Sequence, residues 1–277
     1  MYDIRLRRIS EKLFRHLRRH PAGSGNLLPY EGVCNLCGTT GTFNPGNIEV
    51  RFVARGYTCP DCGAALRFRN EAAAIVEEFG RGRHLSLRTL VEDIALHDLS
   101  VYNIGIAGPV RLWLRRFSHY VESTFFEGGQ SGEVREGVHH QDIQNLTYSD
   151  ESFDLVASSH VMEHVPDPGA AIGEIFRVLR PGGRYICSVP VFWPPPEKSV
   201  TRASLENGRV IHHLPEVYHQ SPGGAPSLVF TDFGTDLLES LEAAGFFARQ
   251  RRPNIGVAHA FRDSVFVAVK PSVPDAS

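Results

Sequence analysis

The sequence predicts an α/β protein whose central sheet is mostly parallel, with a small cysteine-bound module ahead of it. Two observations carry this. Between Phe153 and Pro190 a strand pattern, a helix pattern and a second strand pattern follow one another. Upstream stand two complete Cys-x-x-Cys-Gly pairs, Cys34-Asn-Leu-Cys37-Gly38 and Cys59-Pro-Asp-Cys62-Gly63.

The strand–helix–strand unit reads as follows. Phe153 to Ala157 is a short apolar run that includes Val156, the length of one buried strand. Pro166 to Pro168 opens a helix, since proline is tolerated in the first turn. Ile172, Ile175, Phe176 and Leu179 recur at helical spacing. Pro181-Gly182-Gly183 stops that helix, and Tyr185 to Val189 forms the second strand. Strand, crossover helix and strand make a parallel pair.

Two residues between thiolates let both sulfurs of a pair reach one tetrahedral ion, and the glycine after each pair permits the tight turn. Residues 31–69 therefore look like a zinc ribbon held by Cys34, Cys37, Cys59 and Cys62, with Ile48, Val50, Phe52 and Val53 suited to short strands. The ligand set admits iron as well as zinc. Four thiolates leave no open coordination position, so the site is structural; scaffold and substrate contact both remain open as roles. The fifth cysteine, Cys187, falls within a strand pattern and reads as a small buried hydrophobe.

Composition sets outer bounds. The chain has 277 residues, 42% hydrophobic and 22% charged, with a net charge of −2. That length suits one large or two modest domains. The balance does not point to a nucleic-acid binder, although a local basic patch is compatible with it. No apolar run approaches the ~20 residues of a membrane span, and no apolar core follows the basic N-terminus as a secretory signal requires. Paired cysteines read as thiolate ligands imply a reducing, cytoplasmic setting.

Residues 1–30 form a basic arm. Arg5, Arg7, Arg8, Lys12, Arg15, Arg18 and Arg19 interleave with Ile4, Ile9, Leu13 and Leu17, which permits an amphipathic helix. It would contact a partner or a membrane surface, or form a solvated terminus. Residues 70–100 form a helical connector, with Asn70 capping a helix to Phe79, Gly80 stopping it, and a second pattern at Leu87 to His97.

The motif order from Asp142 to Gly183 resembles the second half of a class I S-adenosylmethionine-dependent methyltransferase of the type 11 kind. The residues that carry the likeness are Asp142, Asp150 to Val156, Glu163 to Pro168, and Arg177 to Gly183. The resemblance implies a Rossmann-like, seven-stranded, mostly parallel sheet over 101–270, with S-adenosylmethionine as cofactor. The family's first strand ends in an acid and a Gly-x-Gly-x-Gly loop. Here the matching positions are Asn103, Gly105, Ala107 and Pro109, with Gly108 between the last two. Asn103 brings no charge, but the small residues still let backbone approach a ligand closely.

Arg111 to Phe117 follows as a helix and His119 to Thr124 as the second strand. The resemblance puts Glu122 on the two ribose hydroxyls; an exposed strand-end charge is the alternative. Glu127 to Gly137 is glycine-rich, so the next helix is short or missing. Val138 to Gln141 is a third strand. The resemblance further implies that Asp142 accepts from the adenine amino group and that the backbone of Ile143 meets the ring; the alternative is that Asp142 caps a local turn with Asn145 and Thr147. Ser158, Ser159 and His160 follow the fourth strand, where ligands of doubly wound sheets bind, and Ser159 is counted with the cofactor residues. His160 and His164 are candidate general bases, with a positional role as the alternative for His164.

The stretch 191–228 is an insertion holding Trp193, three prolines in a row and the segment His212 to His219. His213 and His219 are expected to line the acceptor site; a metal site including Glu216 and a solvated loop are the other readings. Thr231 caps a last helix carrying Leu237, Leu238, Leu241 and Ala244, which Gly245 ends. Phe246 to Arg251 and Ser264 to Val269 read as the two closing strands, which the resemblance pairs as an antiparallel edge. Residues 271–277 form a disordered tail.

The expected activity is methyl transfer from S-adenosylmethionine to an oxygen, nitrogen or carbon nucleophile on a small molecule or glycan. Two alternatives differ in class. One is an RNA or protein methyltransferase that grips its polymer with the ribbon and the basic arm. The other is a binding module whose cofactor loop no longer supports catalysis.

Overall fold

The structure, a computed structural model, describes residues 28–47, 55–135, 137–191, 195–220, 226–251 and 263–272. The basic arm from Arg5 to Arg19, the strands expected around Ile48 to Val53, Trp193 and the tail from residue 273 lie outside the described residues.

The chain is described from the cysteine module onward. Strands β1 (Tyr30–Val33) and β2 (Thr40–Phe43) pair antiparallel around the first knuckle. Gly38 and Gly63 stand at equivalent places in the two knuckles, at φ +86° and +71°. Their amides donate to Cys34 O at 2.8 Å and Cys59 O at 3.0 Å, a turn that an L side chain would strain.

Helix α1 (Leu66–Phe79) starts four residues before the expected cap at Asn70, which is buried inside it. Ala65 at its N-cap makes no side-chain cap. Packing of the apolar run from Leu66, not a cap, sets this start. Helix α2 (Leu87–Val91) is capped by Ser86, whose hydroxyl accepts from Thr89 N. The pattern from Leu87 to His97 does not form one helix. The Asp93 carboxylate accepts from Ala95 N and starts a separate 3-10 turn, Ile94–Leu96, with Ile94 turned 90% to solvent.

The sheet follows: β3 (Ser100–Ile104), helix α3 (Val110–Leu114), β4 (His119–Thr124), β5 (Val134–Arg135), β6 (Val138–His140), β7 (Phe153–Ser159), helix α4 (Pro168–Val178) and β8 (Leu179–Pro190). The insertion then folds as β9 (Val200–Thr201), β10 (Ala203–Glu206), β11 (Arg209–His212), β12 (Tyr218–His219), β13 (Ser227–Leu228) and β14 (Thr231–Asp232). Helix α5 (Leu237–Ala243), β15 (Phe247–Arg251) and β16 (Asp263–Val269) close the chain.

The strand order is β15-β16-β8-β7-β3-β4-β6-β5. The run from β6 to β8 is parallel, and β16 runs against both of its neighbours. The sheet thus has eight strands, one more than the seven expected. The extra one, β5, folds back onto β6 beside Gly137 at φ +79°. From β3 the chain winds outward through β4 to β6, then returns to β7 on the other side. That reversal puts a crevice at the carboxyl ends of β3 and β7.

Two local expectations are corrected. The Pro181-Gly182-Gly183 turn does not separate helix from strand. β8 already starts at Leu179, and its pairing jumps from Phe153↔Leu179 to Leu155↔Arg184, so the turn is a bulge inside one strand. A Cβ on Gly183 would lie 2.8 Å from Arg180 O. Thr231 caps no helix. It pairs with Thr201 in β14, and α5 starts at Leu237. The Asp236 carboxylate accepts instead from Ser199 N and Oγ, which ties the insertion to α5.

Alternation along the strands makes two cores. Val101, Leu155, Ala157, Ile186, Val265 and Val267 face α1, α2 and α3, and this core runs on into Cys34, Leu36, Phe43 and Tyr57 of the cysteine module. Tyr102, Val156, Tyr185, Cys187, Phe266 and Ala268 face α4 and α5. Both faces of the parallel run are covered, as parallel sheets require. Cys187 is buried and its thiol is pushed up to about 12 by that burial, the state of an inert small hydrophobe.

Arg69 of α1 joins the module to the body. It is 2% exposed. Nη1 donates to Tyr57 O at 3.0 Å and Nη2 to Val33 O at 3.4 Å, and the guanidinium lies 3.5 Å over the Phe43 ring. Arg69→Met keeps the stem but leaves two carbonyls without donors. It is expected to cost about 2–3 kcal/mol in urea unfolding. Arg69→Lys should recover only part of this, because an ammonium cannot span both carbonyls and stack on the ring.

Candidate active site

The four cysteines converge. Cys34 Sγ lies 3.8 Å from Cys62 Sγ, and Cys37 Sγ lies 3.6 Å from Cys59 Sγ. All four ligand atoms fall within 4.8 Å of one another. Zn–S bonds of about 2.3 Å put tetrahedral sulfurs about 3.8 Å apart, so the donor set and its spacing fit one such ion.

A second group of residues stands at the carboxyl edge of the parallel strands. Asn103 is level with Glu122 on β4 and with Ala157 on β7. Asn103 Nδ2 donates to Gly105 O at 2.6 Å and so braces the loop from within. Gly105 and Gly108 have φ +94° and +82°, with Ala107 between them. A Cβ on Gly108 would lie 2.8 Å from the Phe68 ring, so α1 closes directly over this loop.

Glu122 is gripped from several sides. It accepts from Arg111 Nη1 at 3.2 Å, from Arg115 and from Tyr120 Oη at 2.5 Å. Burial pushes its carboxyl up, but Arg115, Tyr120 and Arg111 outweigh that and hold it below the usual carboxylate range. Asp142 follows β6. Its Oδ1 accepts from Gln144 N and Gln144 Nε2, both at 2.9 Å, and its carbonyl accepts from Asn145 N at 2.9 Å. A local turn is therefore formed there. Ile143 beside it is buried. Ser159 ends β7, with Oγ 3.1 Å from Ser188 Oγ. Ser158 was expected to face the crevice with Ser159. It is buried instead, with Oγ 2.8 Å from Tyr185 Oη, because side chains alternate along a strand.

A third group is built around Glu163, which has no exposed surface. Its Oε1 lies 3.5 Å from His160 Nδ1, 3.7 Å from His164 Nε2 and 3.5 Å from His219 Nδ1. Burial alone would raise this carboxyl, but the facing imidazoles of His160, His219 and His164 bring it down to about 2. His164 is itself lowered, first by burial and against the pull of Glu163. His160 has φ +53°, rare for a residue with a side chain, and its amide donates to Ser188 O at 2.9 Å.

The insertion brings His219 here. Phe230 N donates to Glu163 O at 2.8 Å, and β13 then pairs with β12 so that His219 stands level with Ser227. His213 is not part of this group. Its Nε2 lies 2.9 Å from Ser204 Oγ on the exposed β10–β11 hairpin.

Glu71 was absent from the expected site residues. It lies on α1, is 1% exposed, and accepts from Ser188 Oγ at 3.4 Å. Burial pushes its carboxyl up to about 7 against the pull of Ser159, His160 and Ser188. The signal for it was a lone acid beside the apolar run Ala72 to Val76. Glu163 was visible within its motif but carried no role of its own.

Part of this region is similar to known methyltransferases. Residues 120–187 match the family model described as "Methyltransferase domain". A demethylmenaquinone methyltransferase of Clavibacter sepedonicus is 35% identical over 92 residues, 31% of this chain and 37% of that protein. A ubiquinone/menaquinone biosynthesis C-methyltransferase of Desulfotalea psychrophila is 32% identical over 139 residues, 50% of this chain and 52% of that protein. The chain thus spans about half the length of that relative and less of the first. The crystal structure of an S-adenosylmethionine-dependent methyltransferase from Mesorhizobium loti aligns with TM-score 0.40 and 17% identity, over 66% of this chain and 95% of that one. Among the described residues no helix is long and apolar enough to cross a membrane.

Glu71 gives a pH signature. Its folded value lies above the ordinary 4.5, at about 7. The stability it adds is fully present below pH 4.5 and is lost as pH rises through 7. The melting temperature of the native protein minus that of Glu71→Gln should therefore fall between those limits. A difference that stays flat with pH overturns the assignment.

Proposed function

We propose that this chain transfers a methyl group from S-adenosylmethionine to an oxygen, nitrogen or carbon nucleophile on a small molecule or glycan. The observation that carries the reading is the alignment of Asn103, Glu122, Asp142 and Ser159 along the carboxyl edge of four adjacent parallel strands. The bound cofactor would supply an electrophilic methyl on a sulfonium.

The residues present fit such a ligand. Glu122, kept ionised by its arginines, would accept two ribose hydroxyls by exchanging them for donors it now holds from Arg111, Arg115 and Tyr120. Asp142 would accept from the adenine amino group while Ile143 packs against the ring. Gly105, Ala107 and Gly108 leave room for the chain to approach the cofactor. Asn103 is spent on bracing this loop. Glu71 and Ser159 supply polar groups on the other wall of the crevice.

His160, His164 and His219 lie on the acceptor side. His160, facing both Glu163 and Glu71, is the group suited to remove a proton from the acceptor as methyl transfer proceeds. The rest of the task is positioning, which α1 and the insertion perform by covering the crevice.

Calorimetry with S-adenosylmethionine tests the reading. Binding is expected, and Glu122→Ala and Asp142→Ala should each weaken it by at least about tenfold, or about 1.4 kcal/mol. No binding at millimolar ligand in a folded protein overturns the proposal.

The ribbon reading has its own test. We expect Co²⁺-substituted protein to show intense near-ultraviolet thiolate charge-transfer absorption. Cys59→Ser should weaken this absorption, and chelation should abolish it and loosen the two cysteine knuckles.

A further inference from the structure

The Glu163 cluster goes beyond what methyl transfer needs. We infer that Glu163, His164 and His219 form a second metal site, for a divalent cation of borderline hardness such as Zn²⁺, Co²⁺ or Fe²⁺. Its donor set is two imidazoles and one carboxylate, unlike the four thiolates of the ribbon.

Geometry is the first support. Glu163 Oε1 lies 3.7 Å from His164 Nε2 and 3.5 Å from His219 Nδ1, and the ligand atoms of all three residues fall within 4.8 Å of one another. These separations are too long for good hydrogen bonds. They suit an ion between the groups, because bonds of about 2.0–2.2 Å put tetrahedral ligands about 3.4 Å apart.

The buried carboxylate is the second support. Glu163 is fully enclosed, and neither of its oxygens has a hydrogen-bond partner among the described groups. A buried charge left so is costly unless a cation answers it. The nearby imidazole nitrogens stand 3.5 Å (His160, His219) and 3.7 Å (His164) away, beyond good hydrogen-bond reach.

The third support is the orientation of His164. Its Nδ1 lies 2.8 Å from Leu228 O and donates to it. That bond fixes the tautomer and turns the Nε2 lone pair toward Glu163. Ligating histidines are commonly held this way by a backbone carbonyl. The His219 ring stands edge-on to His164 at 87°, with centroids 5.0 Å apart.

Main-chain bonds hold all three residues together. Phe230 N binds Glu163 O, and the β12–β13 ladder holds His219. The site therefore does not depend on flexible side chains meeting by chance. The His219 side chain is 40% exposed. The open side of the cluster thus faces solvent, where an oxygen donor of the acceptor would complete the coordination. This class of ligand includes hydroxyl, carboxylate and enolate groups. The inference stands on the cluster alone and does not require the cofactor map to be right.

The test uses the full chain, stripped of metal and titrated with Co²⁺. The thiolate site reports through near-ultraviolet charge transfer, and a nitrogen–oxygen site through weak visible bands without it. The native protein should take one Co²⁺ beyond the thiolate-held ion. His219→Ala, at a half-exposed position that does not threaten folding, and Glu163→Gln should each lose that ion while keeping the charge-transfer band. A native protein that saturates at the thiolate ion overturns the inference, as does a second ion retained in both variants. Cofactor calorimetry on the same samples reads the methyltransferase proposal separately.

Discussion

The burial of α1 between the cysteine module and the sheet is the constraint on which the other parts depend. One fourteen-residue helix meets three different surfaces. Arg69 binds carbonyls of the module and stacks on Phe43. Phe68 closes on the Gly105–Gly108 loop, and Glu71 enters the crevice beside Ser188. Near its end, Glu77 pairs with Arg251 and Glu78 with Arg249 on the edge strand β15, and Glu78 also pairs with Arg184 on β8. Because the module and the sheet share one apolar core, displacing α1 would open the core and the crevice together. The module is thus tied to the crevice through α1.

Two enclosed carboxylates give the crevice its character, and their surroundings drive them in opposite directions. For Glu71 burial dominates and raises its carboxyl, against the hydroxyls of Ser159 and Ser188 and the pull of His160 and Arg67. Glu163 faces three imidazoles, so the charged form prevails although it is at least as well enclosed. Desolvation is similar for the two; the partners decide the outcome. His160 lies between them on a strained backbone, which holds its ring toward the crevice instead of in the strand. Strain of this kind persists only where the surroundings compensate for it, and here the bond to Ser188 O does so.

The insertion does more than cover the crevice. Its strands are short, and the β10–β11 hairpin is mostly exposed, yet the Phe230 amide just past β13 donates to Glu163 O and the Leu228 carbonyl of β13 accepts from His164 Nδ1. This divides its histidines. His219 lies on the strand paired with β13 and enters the cluster, while His213 leaves with the hairpin and binds Ser204. From the sequence the two looked alike, since both belong to one histidine-rich segment.

The sequence by itself determined the parts whose causes are local. The glycine after each cysteine pair dictates the knuckles, and the apolar runs of β3, β7 and β8 dictate buried parallel strands. The spacing of Ile172 and Ile175 dictates the buried face of α4. The motif order placed Asp142, Glu163 and His164 in one half of the fold. Only the tertiary structure decided matters that depend on residues far apart in the chain. Asn70 looked like a cap but is interior, because packing from both sides started α1 at Leu66. Thr231 looked like a cap but pairs with Thr201, since a strand partner was available there. Glu71 became a crevice residue only when α1 folded over the sheet, and Glu163 acquired His219 only when β12 paired with β13. Local propensity is written residue by residue, whereas the company a buried charge keeps is set by long-range pairing, which no short window of sequence contains.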